Sequence, residues 1–165
     1  MTNQITLRTV LPDEEDTILL IGRRMLATLE EVLGAERAHE LYTLEQTVER
    51  VRWHLNPSAV AAAVFVVDTA EGKCVGHAIV RIDQDEENRE FGLFGTLYVD
   101  PAARNQGVAT ALIGRGEQWV RTHHLHRVAT YTDEHNHKLQ TLFLSKGYLL
   151  SPMPKQFVKL QKELE

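Results

Sequence analysis

Residues 60–67 read Val-Ala-Ala-Ala-Val-Phe-Val-Val, with no polar side chain among them. The run is too short for an isolated helix and has no polar face, so it is expected as an interior strand buried on both sides. A sheet of that kind needs helices on both faces. The flanking chain supplies them. Pro12 and the acidic cluster Asp13, Glu14, Glu15 and Asp16 suit a helix start, where the backbone dipole favours anions. Ile18, Leu19, Met25, Leu26, Leu29, Val32 and Leu33 follow at helical spacing, and Gly34 stops them. Leu41, Leu44, Val48, Val51 and Leu55 then step by three and four, which predicts a second helix over residues 36–55.

The rest of the chain alternates. Residues 4–10 put Ile5 and Leu7 on one side at period two, a half-buried strand. Strands are expected over 75–82 and 91–99, joined to 60–67 as a meander, with 83–89 as an acidic hairpin tip. A helix over 105–124, a strand over 127–132, a helix over 136–146 and short strands at 147–150 and 156–160 complete it. The order is β-α-α-β-β-β-α-β-α-β-β: an α/β fold with a mixed, mostly antiparallel central sheet. Strands 91–99 and 127–132, joined through a helix, are expected to be parallel neighbours.

Composition excludes several classes. The chain has 165 residues, 43% hydrophobic and 25% charged, as one globular domain over 1–165 requires. Lys and Arg number 18 against 23 Asp and Glu, a net charge of −5, with no basic footprint for nucleic acid. The lone cysteine, Cys74, rules out an intrachain disulfide. No apolar run approaches the ~18 residues of a membrane span, and the start lacks a signal pattern. A cytoplasmic protein with no membrane partner is expected. Histidines gather at His123, His124, His126, His135 and His137, but without metal-ligand spacing, so no metal is assigned.

The segment with chemical content is Leu97-Tyr98-Val99-Asp100-Pro101-Ala102-Ala103-Arg104-Asn105-Gln106-Gly107-Val108-Ala109-Thr110. An apolar strand runs into a loop that opens a helix. The first turn of a helix leaves backbone N–H groups without intrahelical partners, and these attract anions. Gly107 has no Cβ to keep a phosphate off the backbone, and Arg104 offers a cationic fork. The competing reading is a tight strand-to-helix connection with small residues for packing. Gly92 and Gly95 within the strand mark either a bend or a close approach to a ligand.

Arg104-Asn105-Gln106-Gly107-Val108-Ala109 resembles the acetyl-CoA pyrophosphate loop of the GNAT superfamily of N-acetyltransferases. Leu97 to Pro101 resembles the family's fourth strand and its exit. Asn136, Leu139, Leu142-Phe143, Lys146 and Gly147-Tyr148 resemble its asparagine-led helix and Gly-aromatic ending. The element order is also the family's. The resemblance implies transfer of an acetyl group from acetyl-CoA, as co-substrate, directly to a primary amine of a small molecule or peptide. It implies that Leu97, Tyr98 and Val99 line the pantetheine arm, with Leu97 and Val99 pairing to it as an added strand. Amides from Asn105 to Thr110 hold the pyrophosphate. Asn136 bonds the arm, and can also serve as a helix N-cap. A homodimer fits family habit.

The catalytic groups depart from the family pattern. Phe143 stands where many members carry a tyrosine that protonates the departing thiolate, and it can only pack or shape the channel. Tyr148, five residues on, is the substitute hydroxyl, although it belongs to the next element. Tyr98 and Tyr131 are other hydroxyls in the region. Glu90, entering the fourth strand, is the first candidate base, against a reading as a solvated strand end. His77 is the second. The alternative function is a catalytically silent acyl-CoA-binding sensor, kept open by Phe143.

Overall fold

The computed structural model describes residues 4–165. Seven strands form one sheet: β1 (Ile5–Thr9), β2 (Ala62–Thr69), β3 (Cys74–Gln84), β4 (Glu90–Val99), β5 (Arg127–Asp133), β6 (Leu149–Pro152) and β7 (Phe157–Glu163). Their spatial order is β1-β2-β3-β4-β5-β7-β6. Every pairing is antiparallel except β4 with β5. The last strand enters between β5 and β6, an arrangement that the order of elements along the chain does not reveal.

The helices are α1 (Glu15–Leu33), α2 (Ala35–Leu41), α3 (Leu44–His54), α4 (Val108–Thr122) and α5 (His137–Ser145). Val64, Val66 and Ile79 bury one face of the sheet against Ile18 and Ile21 of α1 and Val48 and Val51 of α3. Phe65, Val80 and Phe94 bury the other against Leu112, Ile113 and Val120 of α4 and Phe143 of α5. Most of the uninterrupted apolar run therefore lies in β2, which is covered on both sides over residues 63–67; Val60 and Ala61 precede the strand, and Ala61 is exposed. Among the described residues, no helix is long and apolar enough to cross a membrane.

Several boundaries differ from expectation: β2 spans 62–69 rather than 60–67, β3 runs on to Gln84, β6 spans 149–152 rather than 147–150, and β7 runs on to Glu163. In the helices, two differences have a local cause. The helix predicted over 36–55 is two helices. Thr43 is extended, at φ −105° and ψ 162°, and forms a reciprocal capping box with Gln46. The Thr43 hydroxyl accepts from the Gln46 amide at 3.1 Å, and the Gln46 side chain accepts from the Thr43 amide at 2.9 Å. The apolar stripe runs through the break, but the local cap decides the backbone. The helix predicted from 105 begins at Val108, because Asn105 (φ 64°) and Gly107 (φ 83°) are left-handed.

Two buried histidines sit on the α1/α3 side. Burial, with Arg24 nearby, pushes the His77 pKa down to about 3. Burial pushes His54 down to about 4, helped by the charges of Arg81 and Arg50. An unfolded chain takes up these protons near pH 6.5. Below that pH it binds more protons than the folded one, so stability falls on acidification, by about 1.4 kcal/mol per pH unit for each imidazole. A Tm that is level above pH 7 and drops between pH 6.5 and 5 is expected. In His77→Leu the drop should be shallower than in the parent, and an equal slope would show that His77 is not its source.

Candidate acyl-donor cleft

Strands β4 and β5 pair only over Gly92–Phe94 and Val128–Thr130. The Thr130 hydroxyl closes that ladder by donating to the Phe94 carbonyl at 3.0 Å. Gly95 then forms a bulge, since Ile79 opposes Thr96 while Val80 opposes Phe94. Beyond it β4 keeps only β3 as a partner. The Asp100 amide donates to the Val75 carbonyl at 2.8 Å. Counting back along an antiparallel ladder, Tyr98 and Thr96 also turn their backbone groups to β3, and Leu97 and Val99 turn theirs to the open edge. Those edge groups can take an extended amide chain as an added strand.

The open edge leads into the N-terminus of α4. Its intrahelical bonding begins with the Ala111 amide on the Gly107 carbonyl, at 3.0 Å. The amides of Val108, Ala109 and Thr110 precede that bond, and no side chain caps them. A Cβ built on Gly107 meets nothing within 4 Å. The donors are thus neither capped internally nor walled off, and they suit a bulky anion. Lys146 of the α5 C-cap adds a cation there, donating to Thr110 Oγ1 at 2.7 Å.

Strand edge and helix start share one cleft of about 760 Å³. Leu97, Tyr98, Val99, Arg104, Asn105, Gly107, Val108, Ala109, Thr110 and Asn136 all line it. Asn136 caps α5, its Oδ1 accepting from the Leu139 amide at 3.3 Å and its Nδ2 donating to Thr132 Oγ1 at 3.1 Å. Tyr98 is held between the His77 ring, stacked at 5.6 Å, and the Arg24 guanidinium at 4.8 Å.

The other sequence candidates lie elsewhere. Gln106 does not line the cleft; its amide group donates to the Ala102 carbonyl at 3.4 Å. Phe143 is fully buried between Phe94 and Tyr148. Tyr148 is not brought to the cleft. Its hydroxyl points into the core and donates to Glu117 of α4 at 2.7 Å, and Lys162 donates to the same carboxylate. Burial first, then the Glu117 carboxylate, push the Tyr148 pKa far above the usual phenol range. Glu90 is exposed at the first position of β4. At about 3.3 Å per strand residue it stands roughly 17 Å before the bulge. His77, the second base candidate, is fully buried with Nδ1 unpartnered.

Sequence reasoning missed one wall. Thr28, Glu31 and Val32 of α1 line the cleft, and Glu31 accepts from Lys138 of α5 across it at 2.6 Å. Their spacing of three and one marks a helix face, but not what that face borders. Among the described residues, no group of three His, Cys, Asp or Glu side chains converges to hold a metal ion.

The model of the acetyltransferase (GNAT) family matches residues 43–148. No curated protein matches the chain. Solved structures share its fold at low identity. The PaiA N-acetyltransferase of Thermoplasma acidophilum, in complex with coenzyme A, has a TM-score of 0.75 at 13% identity, over 97% of this chain and 99% of that one. The protein yncA of Salmonella typhimurium, solved with its cofactor acetyl-CoA, has 0.72 at 16%, over 99% and 95%. An acetyltransferase of Thermus thermophilus has 0.72 at 16%, over 99% of both. With more than half of its length matched, the bulged fourth strand and its uncapped helix start included, this chain belongs to the acetyltransferase (GNAT) family.

Proposed function

We propose that this protein transfers an acetyl group from acetyl-CoA to a primary amine by direct attack within a ternary complex. The observation that carries the reading is the continuity of the cleft. An unpaired strand edge at Leu97 and Val99 and the bare amides at the start of α4 line one cleft, which suits an extended amide arm ending in a diphosphate. The co-substrate supplies a thioester: the amine nitrogen bonds to its carbonyl carbon, the C–S bond breaks, the amine loses a proton and CoA leaves as the thiol.

The chain's own part is binding and orientation. Leu97 and Val99 align the arm. The amides of Val108, Ala109 and Thr110, with Arg104 and Lys146, hold the diphosphate. The Leu97 amide, on the open edge just after the Gly95 bulge, would donate to the thioester oxygen as it gains charge, and such donors stabilise it. No tyrosine hydroxyl stands at the Phe143 position, and that of Tyr148 is committed to Glu117. The thiolate, with a parent pKa of ~8.5, departs without one. The same two facts favour the second reading, a silent acyl-CoA-binding sensor.

One experiment separates them: CoA titration by calorimetry beside thiol release from acetyl-CoA with a panel of amines. Binding with turnover is expected. Binding without turnover on any amine supports the sensor, and no binding removes both. In the same assay Tyr148→Phe should keep the parent's kcat while losing about 2 kcal/mol of stability through its buried bond to the Glu117 carboxylate. A large fall in kcat would return Tyr148 to the chemistry.

A further inference from the structure

On the sheet face that carries α3, the opening beside β4 has a second rim. Gly95 is exposed there. A Cβ built on it would lie 3.2 Å from Arg81 Nη1 and 3.8 Å from His54 Nε2. Neither residue lines the cleft described above.

The charges at this rim do not balance. His54 Nδ1 lies 2.8 Å from the Arg50 carbonyl, so it carries the proton and donates. His54 Nε2 is then the acceptor for Arg81 Nη1 at 3.0 Å, and the imidazole is neutral. Arg81 reaches one carboxylate, Asp83, at 3.5 Å, with its side chain only 15% exposed. Arg50 lies over the Trp53 ring at 4.5 Å, and Arg81 stands 5.9 Å from the same ring. Among the described residues no carboxylate forms an ion pair with Arg50. Two guanidiniums, one carboxylate and a neutral imidazole leave one positive charge at the rim, where Arg81 is partly desolvated and Arg50 is exposed. Burial, with Arg50 adding to it, lowers the Arg81 pKa from its ordinary value, which is the same imbalance seen as titration. Beside them Tyr131, 39% exposed, offers a hydroxyl with no hydrogen-bond partner among the described residues.

We infer that the acetyl acceptor is a small amino acid whose carboxylate is held by Arg81 and Arg50 against Trp53, with its amine a few bonds away at the Gly95 bulge. This rests on the acetyl-transfer reading. A guanidinium fork matches a planar carboxylate. The short distance from Arg81 to the bulge leaves room for only a few bonds between the two groups. A polyamine would bring more positive charge to a site that already has an excess.

The test is thiol release from acetyl-CoA with the proteinogenic L-amino acids, their α-amides and spermidine. At least one amino acid is expected to exceed its amide by about a hundredfold in kcat/KM, the scale of a desolvated charge contact. In Arg81→Gln, and in the exposed Arg50→Gln where folding is not at risk, that acid-to-amide ratio should collapse towards one. Amides as good as acids, or a ratio that survives both substitutions, overturn the proposal. If nothing turns over, the same amino acids are titrated by calorimetry into the CoA-saturated protein. Saturable binding weakened by Arg50→Gln keeps the carboxylate site and rejects acetyl transfer. Absence of binding, with CoA binding intact, rejects the site.

Discussion

Gly107→Glu is expected to abolish CoA binding, with at least about a hundredfold loss of affinity, in a chain that still folds. The space that a Cβ would enter is open, so nothing in the core is displaced. The added carboxylate lies beside the uncapped amides of Val108, Ala109 and Thr110 and can accept from them, an anion at the positive end of α4. It thus takes the place of the diphosphate and repels it. Backbone strain is a separate cost. Gly107 has φ 83°, where a side chain costs about 1–2 kcal/mol. Gly107→Asn isolates that cost, because asparagine tolerates the left-handed region and brings no charge. Calorimetry should find the asparagine variant close to the parent in affinity and the glutamate variant silent. CoA affinity within threefold of the parent in a folded Gly107→Glu would remove the diphosphate from this loop.

The second large effect is on stability. Gly116 of α4 faces Phe94 of β4, and a Cβ built on Gly116 would stand 2.4 Å from two ring carbons. The converse holds four residues along: a Cβ on Gly92 would stand 2.2 Å from Val120. Large meets absent in both directions, and α4 lies close on β4 as a result. Phe94 has no room to retreat, since its ring packs on Phe143 at 5.6 Å and Phe143 on Tyr148 at 4.8 Å. Gly116→Ala is therefore expected to cost about 3 kcal/mol by overpacking, although alanine is the better helix former by about 1 kcal/mol. Urea unfolding measures it. Phe94→Leu in the same chain should recover at least half of the loss, because the two side chains compete for one volume. A Gly116→Ala protein more stable than the parent would show that this approach is not tight. CoA affinity should fall with stability, since α4 carries the diphosphate loop on its first turn.

The local code and the assembled molecule each settle different things. The apolar run at residues 60–67 points to an interior strand because its large side chains leave water whichever way they face; residues 63–67 are buried, while Ala61 at its start stays exposed. The 104–110 loop is legible in part: a helix start with Gly107 and no capping side chain is local, whereas the open space in front of its amides, and the start of the helix at Val108, come from the folded structure. The capping box at Thr43 and Gln46 was equally local, and the apolar stripe running through it masked the break. Long-range geometry was not legible. The hydroxyl of Tyr148 bonds a carboxylate 31 positions away, and its distance from the cleft follows from α4 packing on the sheet. The entry of β7 between β5 and β6 depends on a pairing between distant segments. The same holds for the meeting of Arg50 and Arg81, from a helix and a strand, beside one exposed glycine. Periodicity and turn chemistry act over a few residues and are written in the chain; which surfaces then face one another is decided by packing, and only the tertiary structure holds that.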